Sequence, residues 1–262
     1  LNKSPRPLAP VTPVKARHIS QCAIDPFQVP LAKKLDYLLW ANTTLLGPDA
    51  IQRATSHMDF FKRRKLFWST EGAQIEQLLI ESGAGLEVVA RHGNEVQTRS
   101  FPNSHRGALA QAGFEYVKEL DLVGGATTVR NEALQLLRAE PPRAGETTIV
   151  LDPTQVVMQV HESCGHPVEL DRALGQELSY AGGSFLTPDQ LGRFQYGSPE
   201  VTIVADATIP GGVGSFGFDD EGVPAQRVEI VREGRFVGYL SSRESAAKLT
   251  LPSSGGAMRA ES

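Results

Sequence analysis

Cysteine is scarce: Cys22 and Cys164 are the two in 262 residues. A disulfide-stapled scaffold is thereby excluded, and a reducing compartment, the cytoplasm, is the expectation. Long apolar runs are missing too. No stretch approaches the roughly 20 residues of a membrane-spanning helix, and Pro5, Pro7, Pro10, Pro13, Pro26 and Pro30 interrupt the region where a signal-peptide core would lie. Nor is there an excess of positive charge. Lys and Arg number 26 against 30 Asp and Glu, a net charge of −4, and the two signs are interspersed. No basic stripe marks a nucleic-acid footprint, and the short Lys62–Lys65 cluster reads as a solvated turn or strand edge. Neither a membrane nor a nucleic acid is expected as a partner.

What is present is an ordinary globular composition, 40% hydrophobic and 21% charged, with length for one large or two modest domains. Two are expected, residues 1–143 and 144–262, divided where Pro141-Pro142 and Gly145 end a helical run. Residues 1–30 read as proline-rich and extended. Leu31–Leu46 places Leu31, Leu35, Leu38 and Leu39 on one helical face. Between Ile51 and Phe101 the pattern shifts to short strands, Lys65–Ser69, Gln74–Glu81, Leu86–His92 and Glu95–Ser100, an antiparallel meander punctuated at Gly83-Ala84-Gly85 and Gly93-Asn94. Helices are predicted over Gly107–Leu120 and Thr127–Ala139, then a strand over Thr147–Leu151. Further on come a strand at Val201–Ala207, a hairpin of Arg227–Val231 with Phe236–Leu240 around Glu233-Gly234, and a helix over Ser242–Leu249. Both ends read as cut: the chain begins at Leu1 and stops at Arg259-Ala260-Glu261-Ser262, just after a glycine turn.

The chemistry concentrates in one segment. Asp152-Pro153 has an N-cap followed by a first-turn proline, so a helix is expected to carry Val156, Val157 and Val160 inward and run into His161-Glu162-Ser163-Cys164-Gly165-His166. Neutral imidazoles suit Zn²⁺, and an adjacent carboxylate can take a proton from water and pass it to a leaving amine. His161 and His166 are the candidate metal ligands and Glu162 the candidate general base. The spacing has a geometric cost. Residues four apart on a regular helix lie about 40° apart around the axis, whereas five apart gives about 140°. The helix must therefore bulge or end between the histidines, with Gly165 the residue suited to the distortion and Pro167 opposing a regular continuation. Cys164 reads as core more than as a soft ligand, and Glu169 and Asp171 are placed to orient an imidazole from behind.

Gly212-Val213-Gly214-Ser215-Phe216-Gly217 matches a dinucleotide fingerprint literally, but the acidic Asp219-Asp220-Glu221 follows where a helix N-terminus should receive a pyrophosphate. A structural or substrate-lining loop is the reading, with a second cation at those acids the lesser alternative to a solvated turn. His18, His57 and His105 lack partners at ligand spacing, His92 before Gly93-Asn94 reads as a strand-end residue, and none of the four is assigned to the site.

Taken in order, HESCGH with VELDR, SYAGGSFL, GSFGFDDEGVPAQ and GYLSSRESA resemble the TldD/PmbA family of zinc-dependent peptidases, strongly from about Asp152 to Ser262 and more weakly over residues 31–140. The resemblance implies an α+β protein of two domains, an N-terminal α/β part with an antiparallel sheet and helices and a mainly β C-terminal part carrying the metal. It implies zinc on His161 and His166, Glu162 as base, and a third ligand from a cysteine downstream of Ser262. It further implies substrates that are unfolded peptides or small flexible proteins, and a dimer, either of identical chains or with an inactive paralogue. Pro167 stands where many relatives have glycine. A non-catalytic peptide-binding or assembly subunit with an incomplete metal site is the alternative, and a nucleotide-dependent oxidoreductase the weakest reading.

Overall fold

The computed structural model describes residues 6–259; Leu1 and Ala260–Ser262, on which the reading of cut ends rests, lie outside them. In chain order the elements are β1 (Lys15–Ile19), α1 (Leu31–Leu45), β2 (Ile51–Trp68), β3 (Gln74–His92), β4 (Glu95–Phe101), β5 (Ala108–Ala110), α2 (Phe114–Glu119), α3 (Leu122–Leu136), α4 (Pro153–Val160), α5 (Leu170–Ala173), β6 (Ile203–Asp206), β7 (Arg227–Arg232), β8 (Arg235–Phe236) and α6 (Arg243–Lys248). The mixture is α+β, with two sheets. The chain divides into two compact units: one of Ser20–Arg63 and Leu79–Gln155, the other of the chain up to Ile19, Arg64–Leu78 and everything from Val156.

The first of these units packs α1 and α3 over the sheet around Ala41, Leu45, Leu86, Val88, Leu122, Ala126 and Val129. Leu45, Leu86 and Leu122 are fully buried, each contributing about 1.5–3 kcal/mol by leaving water. Where short strands are expected, β2 and β3 are long and continuous, and β3 runs straight through Gly83-Ala84-Gly85. Those glycines do not interrupt the strand; they admit a neighbour. β5 pairs antiparallel at Ser82–Ala84, and a Cβ on Gly85 would stand 1.8 Å from the Arg106 carbonyl oxygen. The helix expected from Gly107 therefore begins only at Phe114, because Ala108–Ala110 is taken into the sheet. The next helix starts at Leu122, earlier than Thr127, across Gly124-Gly125. A Cβ at Gly125 would strike the Phe101 ring at 2.7 Å, so this glycine serves helix-on-strand packing. Thr147–Leu151 forms no ladder: Ile149 and Val150 are 72% and 93% exposed, and no strand among the described residues pairs with it.

In the other unit β1 pairs in parallel with the start of β3, Lys15 opposite Gln74, so part of the proline-rich opening is a strand. β6, β7 and β8 form a small antiparallel sheet, and around it lies a core of Cys164, Val168, Leu170, Leu186, Ile230, Val231, Phe236 and Tyr239. The β7–β8 turn places Glu233 and Gly234 both at positive φ, 48° and 78°, as a right-twisted two-residue hairpin requires. Ser242 caps α6 through the Ser245 amide in a reciprocal capping box.

Candidate metal centre

Asp152 starts the helix that carries the site: its Oδ1 accepts from the Thr154 amide at 2.8 Å and the Thr154 hydroxyl at 2.7 Å. These bonds hold its carboxyl below the usual aspartate range. α4 follows, with no buried residue of its own. It then widens into a π-helical turn over His161–Gly165, closed by the His166 amide donating to the His161 carbonyl. An i→i+5 turn brings residues five apart onto the same side, the bulge that the spacing demands. The imidazoles of His161 and His166 meet edge to face, centroids 4.5 Å apart. The candidate ligand atoms of His161, Glu162 and His166 lie within 4.8 Å of one another, a group able to hold a metal ion. Glu162 Oε1 is 4.0 Å from His161 Nε2, and both side chains are open to solvent.

The glycine plays a different part from the one expected. Gly165 has ordinary right-handed dihedrals, φ −53° and ψ −60°, and a Cβ there would meet only Val160 O at 3.9 Å and His161 Nδ1 at 4.0 Å. The wide turn is thus made without left-handed backbone at Gly165. Pro167 is accommodated because the chain has already tightened into a 3₁₀ turn at His166–Val168. Cys164 is buried in the core, and burial pushes its thiol up, with the Tyr196 hydroxyl opposing. Tyr196 also donates to the Ser163 carbonyl at 2.9 Å, satisfying an oxygen of the widened turn.

Behind His166, Glu169 Oε1 is 3.2 Å from Nδ1, while Glu169 Oε2 accepts from Arg172 Nε at 3.1 Å. Asp171 does not join this pair; its carboxylate accepts from the Arg172 amide. Sequence reading left Arg172 without a role, although Glu169 and Arg172 stand at the i, i+3 spacing of a helical ion pair.

The glycine-rich loop and its acids are structural. Gln77 Oε1 accepts from the Gly217 and Phe218 amides at 3.0 and 2.9 Å, and Gln77 Nε2 donates to the Phe218 carbonyl at 2.8 Å. Asp219 is buried and accepts from the amides of Glu221, Val223 and Met258. Asp220 pairs with Lys65. Glu221 accepts from the Arg243 amide at 2.6 Å, and the Arg243 guanidinium grips Glu71 with two bonds of 2.7 Å. Burial raises the carboxyls of Asp219 and Glu221 above their usual range despite those donors. The acids build a turn and cap a helix, where a solvated turn or a second cation was expected. Of the remaining histidines, His18 packs on Gly217 and His105 Nε2 meets the Thr154 carbonyl at 3.0 Å.

Residues 144–262 match the family model of the PmbA/TldA metallopeptidase C-terminal domain. A metalloprotease from Synechocystis sp. is 35% identical over 249 residues, 92% of this chain and 50% of that protein. A zinc metalloprotease TldD homolog from Saccharolobus solfataricus is 26% identical over 204 residues, 76% of this chain and 41% of that one. The crystal structure of a candidate modulator of a DNA gyrase from Thermotoga maritima superposes with a TM-score of 0.72 at 17% identity, covering 91% of this chain and 52% of that one. The chain spans about half the length of the curated relatives it matches.

Proposed function

Because the chain belongs to the TldD/PmbA family of metallopeptidases, we propose that it contributes the site of a zinc-dependent peptidase, with His161 and His166 holding the metal and Glu162 as general base. The observation that carries this reading is the π-helical turn, which converts a five-residue spacing into two converging imidazoles with a carboxylate beside them. The donor set suits zinc in kind: two imidazoles, one of them fixed from behind by a carboxylate. Zinc, when bound, supplies Lewis-acid polarisation of the scissile carbonyl and of a water molecule. Glu162 takes the proton from that water on a carboxylate oxygen and hands it to the leaving amine. Its exposure leaves room for a peptide backbone to approach.

A catalytic zinc ordinarily has three protein ligands and an open position. The third ligand is proposed, as the family resemblance implies, to be a cysteine downstream of Ser262. Residues 144–262 are proposed as the metallopeptidase domain and 1–143 as an N-terminal domain that lends β1 and Arg64–Leu78 to the compact unit of the segment from Val156. Substrates are unfolded peptides or small flexible proteins. The assembly is a dimer of identical chains or a pair with a paralogous subunit, and the compartment is the cytoplasm, in keeping with the free thiols of Cys22 and Cys164. No helix among the described residues is long and apolar enough to cross a membrane.

Elemental analysis of the protein, with any sequence that naturally follows Ser262, tests the site. About one zinc per chain, absent from a His161→Ala/His166→Ala variant, supports the reading. Zinc in neither protein overturns it and favours a non-catalytic peptide-binding or assembly subunit.

A further inference from the structure

Glu169 has two oxygens and two tasks: one faces His166 Nδ1 at 3.2 Å and the other accepts from Arg172 Nε at 3.1 Å. The Arg172 side chain is only 13% exposed, and each arm of its guanidinium is engaged. Nη1 donates to the Ala181 carbonyl at 2.9 Å, and Nη2 lies 3.3 Å from Glu177 Oε2 and 3.5 Å from His166 Nδ1. The carrier is fixed as well. Leu170, the first residue of α5, is fully buried and its amide donates to the Leu240 carbonyl at 2.9 Å.

This arrangement selects one tautomer. If Nδ1 carried a lone pair, it would face the Glu169 carboxylate at the shorter distance and be repelled; with a proton on Nδ1, the 3.2 Å contact is a charge-assisted hydrogen bond. Nε2 is then the nitrogen left with a lone pair for a metal. Glu169 alone could swing away, being about one-third exposed. The planar, multiply anchored guanidinium prevents that, which a lysine ammonium, a single point charge, would do less well.

We infer that Arg172 is a positioning residue for the metal centre, acting through Glu169 to set the ring orientation and tautomer of His166. The inference rests on the zinc reading of the site. Its test is zinc affinity, by competition with a chromophoric chelator, together with the visible spectrum of the cobalt-substituted protein. Glu169→Ala and Arg172→Ala are each expected to weaken zinc about 10–100-fold, with Arg172→Lys intermediate and the cobalt bands displaced in all three. In a Glu169→Ala background, Arg172→Ala should add little further, because its route to the metal is already cut. If Arg172→Ala fails to fold, Arg172→Lys and Glu169→Gln carry the comparison. Wild-type affinity and spectrum in the arginine variants, or losses that multiply in the double variant, would overturn the inference while leaving the zinc site standing. Zinc retained by the His161→Ala/His166→Ala variant would instead remove the reading of the site itself.

Discussion

Glu162 and Gly165 sit three residues apart, and the geometry assigns them opposite sensitivities. Glu162 is an exposed carboxylate beside His161 and is absent from the core around Cys164, so its substitution should change chemistry and little else. Glu162→Gln is expected to keep about one zinc per chain and lower peptidase turnover by roughly 10²–10⁴-fold; turnover at the wild-type rate would remove the carboxylate from the mechanism. Gly165→Ala should be nearly silent. The residue is right-handed and a Cβ would make only ordinary contacts, so zinc affinity within about twofold of wild type is expected, and alanine also favours helical backbone. A large loss would mean that the wide turn passes through a conformation only glycine reaches. The distortion between His161 and His166 was legible, because a spacing of five places two side chains about 140° apart on a regular helix. The role of Gly165 was not, since a glycine looks the same in sequence whether it is required or merely permitted.

At the level of elements, the misread glycines share one cause: close approach of a distant segment, which local pattern does not encode. Gly83-Ala84-Gly85 reads as a break but lies inside β3 because β5 crosses there, and the helix expected from Thr127 starts at Leu122, with Gly125 packed on the Phe101 ring. By contrast the span of α1, the cap at Asp152 and the Glu233-Gly234 hairpin were legible, since each is fixed by neighbours in sequence; the buried face of α1 was not, for Leu31, Leu35 and Leu39 are exposed while Ala41 and Leu45 are buried. Gly85→Ala should therefore destabilise its unit by about 1–3 kcal/mol, the usual cost of overpacking, measured as a lowered denaturation midpoint at unchanged slope; an unchanged midpoint would show that the Arg106 segment yields easily. The start of α2 offers a pH test. Burial would raise the Glu115 carboxyl, but the amides of Ala23, Gly113 and Ile24 donate to it and hold it below its ordinary value. A depressed folded value means that its stabilisation, about 1 kcal/mol after allowance for partial exposure, is present above the unfolded glutamate pKa. It is lost as pH falls through the folded value. Glu115→Gln should flatten the acid limb of stability against pH; an acid limb identical to wild type would place the amide bonds in the unfolded state as well.

For the molecule as a whole, the sequence resemblance was strongest from Asp152 onward, and His161, Glu162 and His166 all lie in the unit that contains everything from Val156. The division into units was less legible, because Arg64–Leu78 belongs with the segment from Val156 although it is distant in sequence, through contacts such as Gln77 with Gly217 and Glu71 with Arg243. This organisation makes the effect of metal local. A ligand that binds the folded site stabilises only against openings that disrupt that site, by about 2.7 kcal/mol at a free concentration 100-fold above its dissociation constant. Hydrogen exchange of the protein with zinc and with a chelator should then differ at the amides of His166, Leu170 and Leu174, which are bonded within or just after the site. Amides of β3 around Leu86–Ala90 and of α3 should exchange at the same rate in both, because their core is built from α1, α3 and the sheet. Equal slowing at both sets of amides would mean that the two units open together, and no slowing at His166 would detach zinc from the π-helical turn.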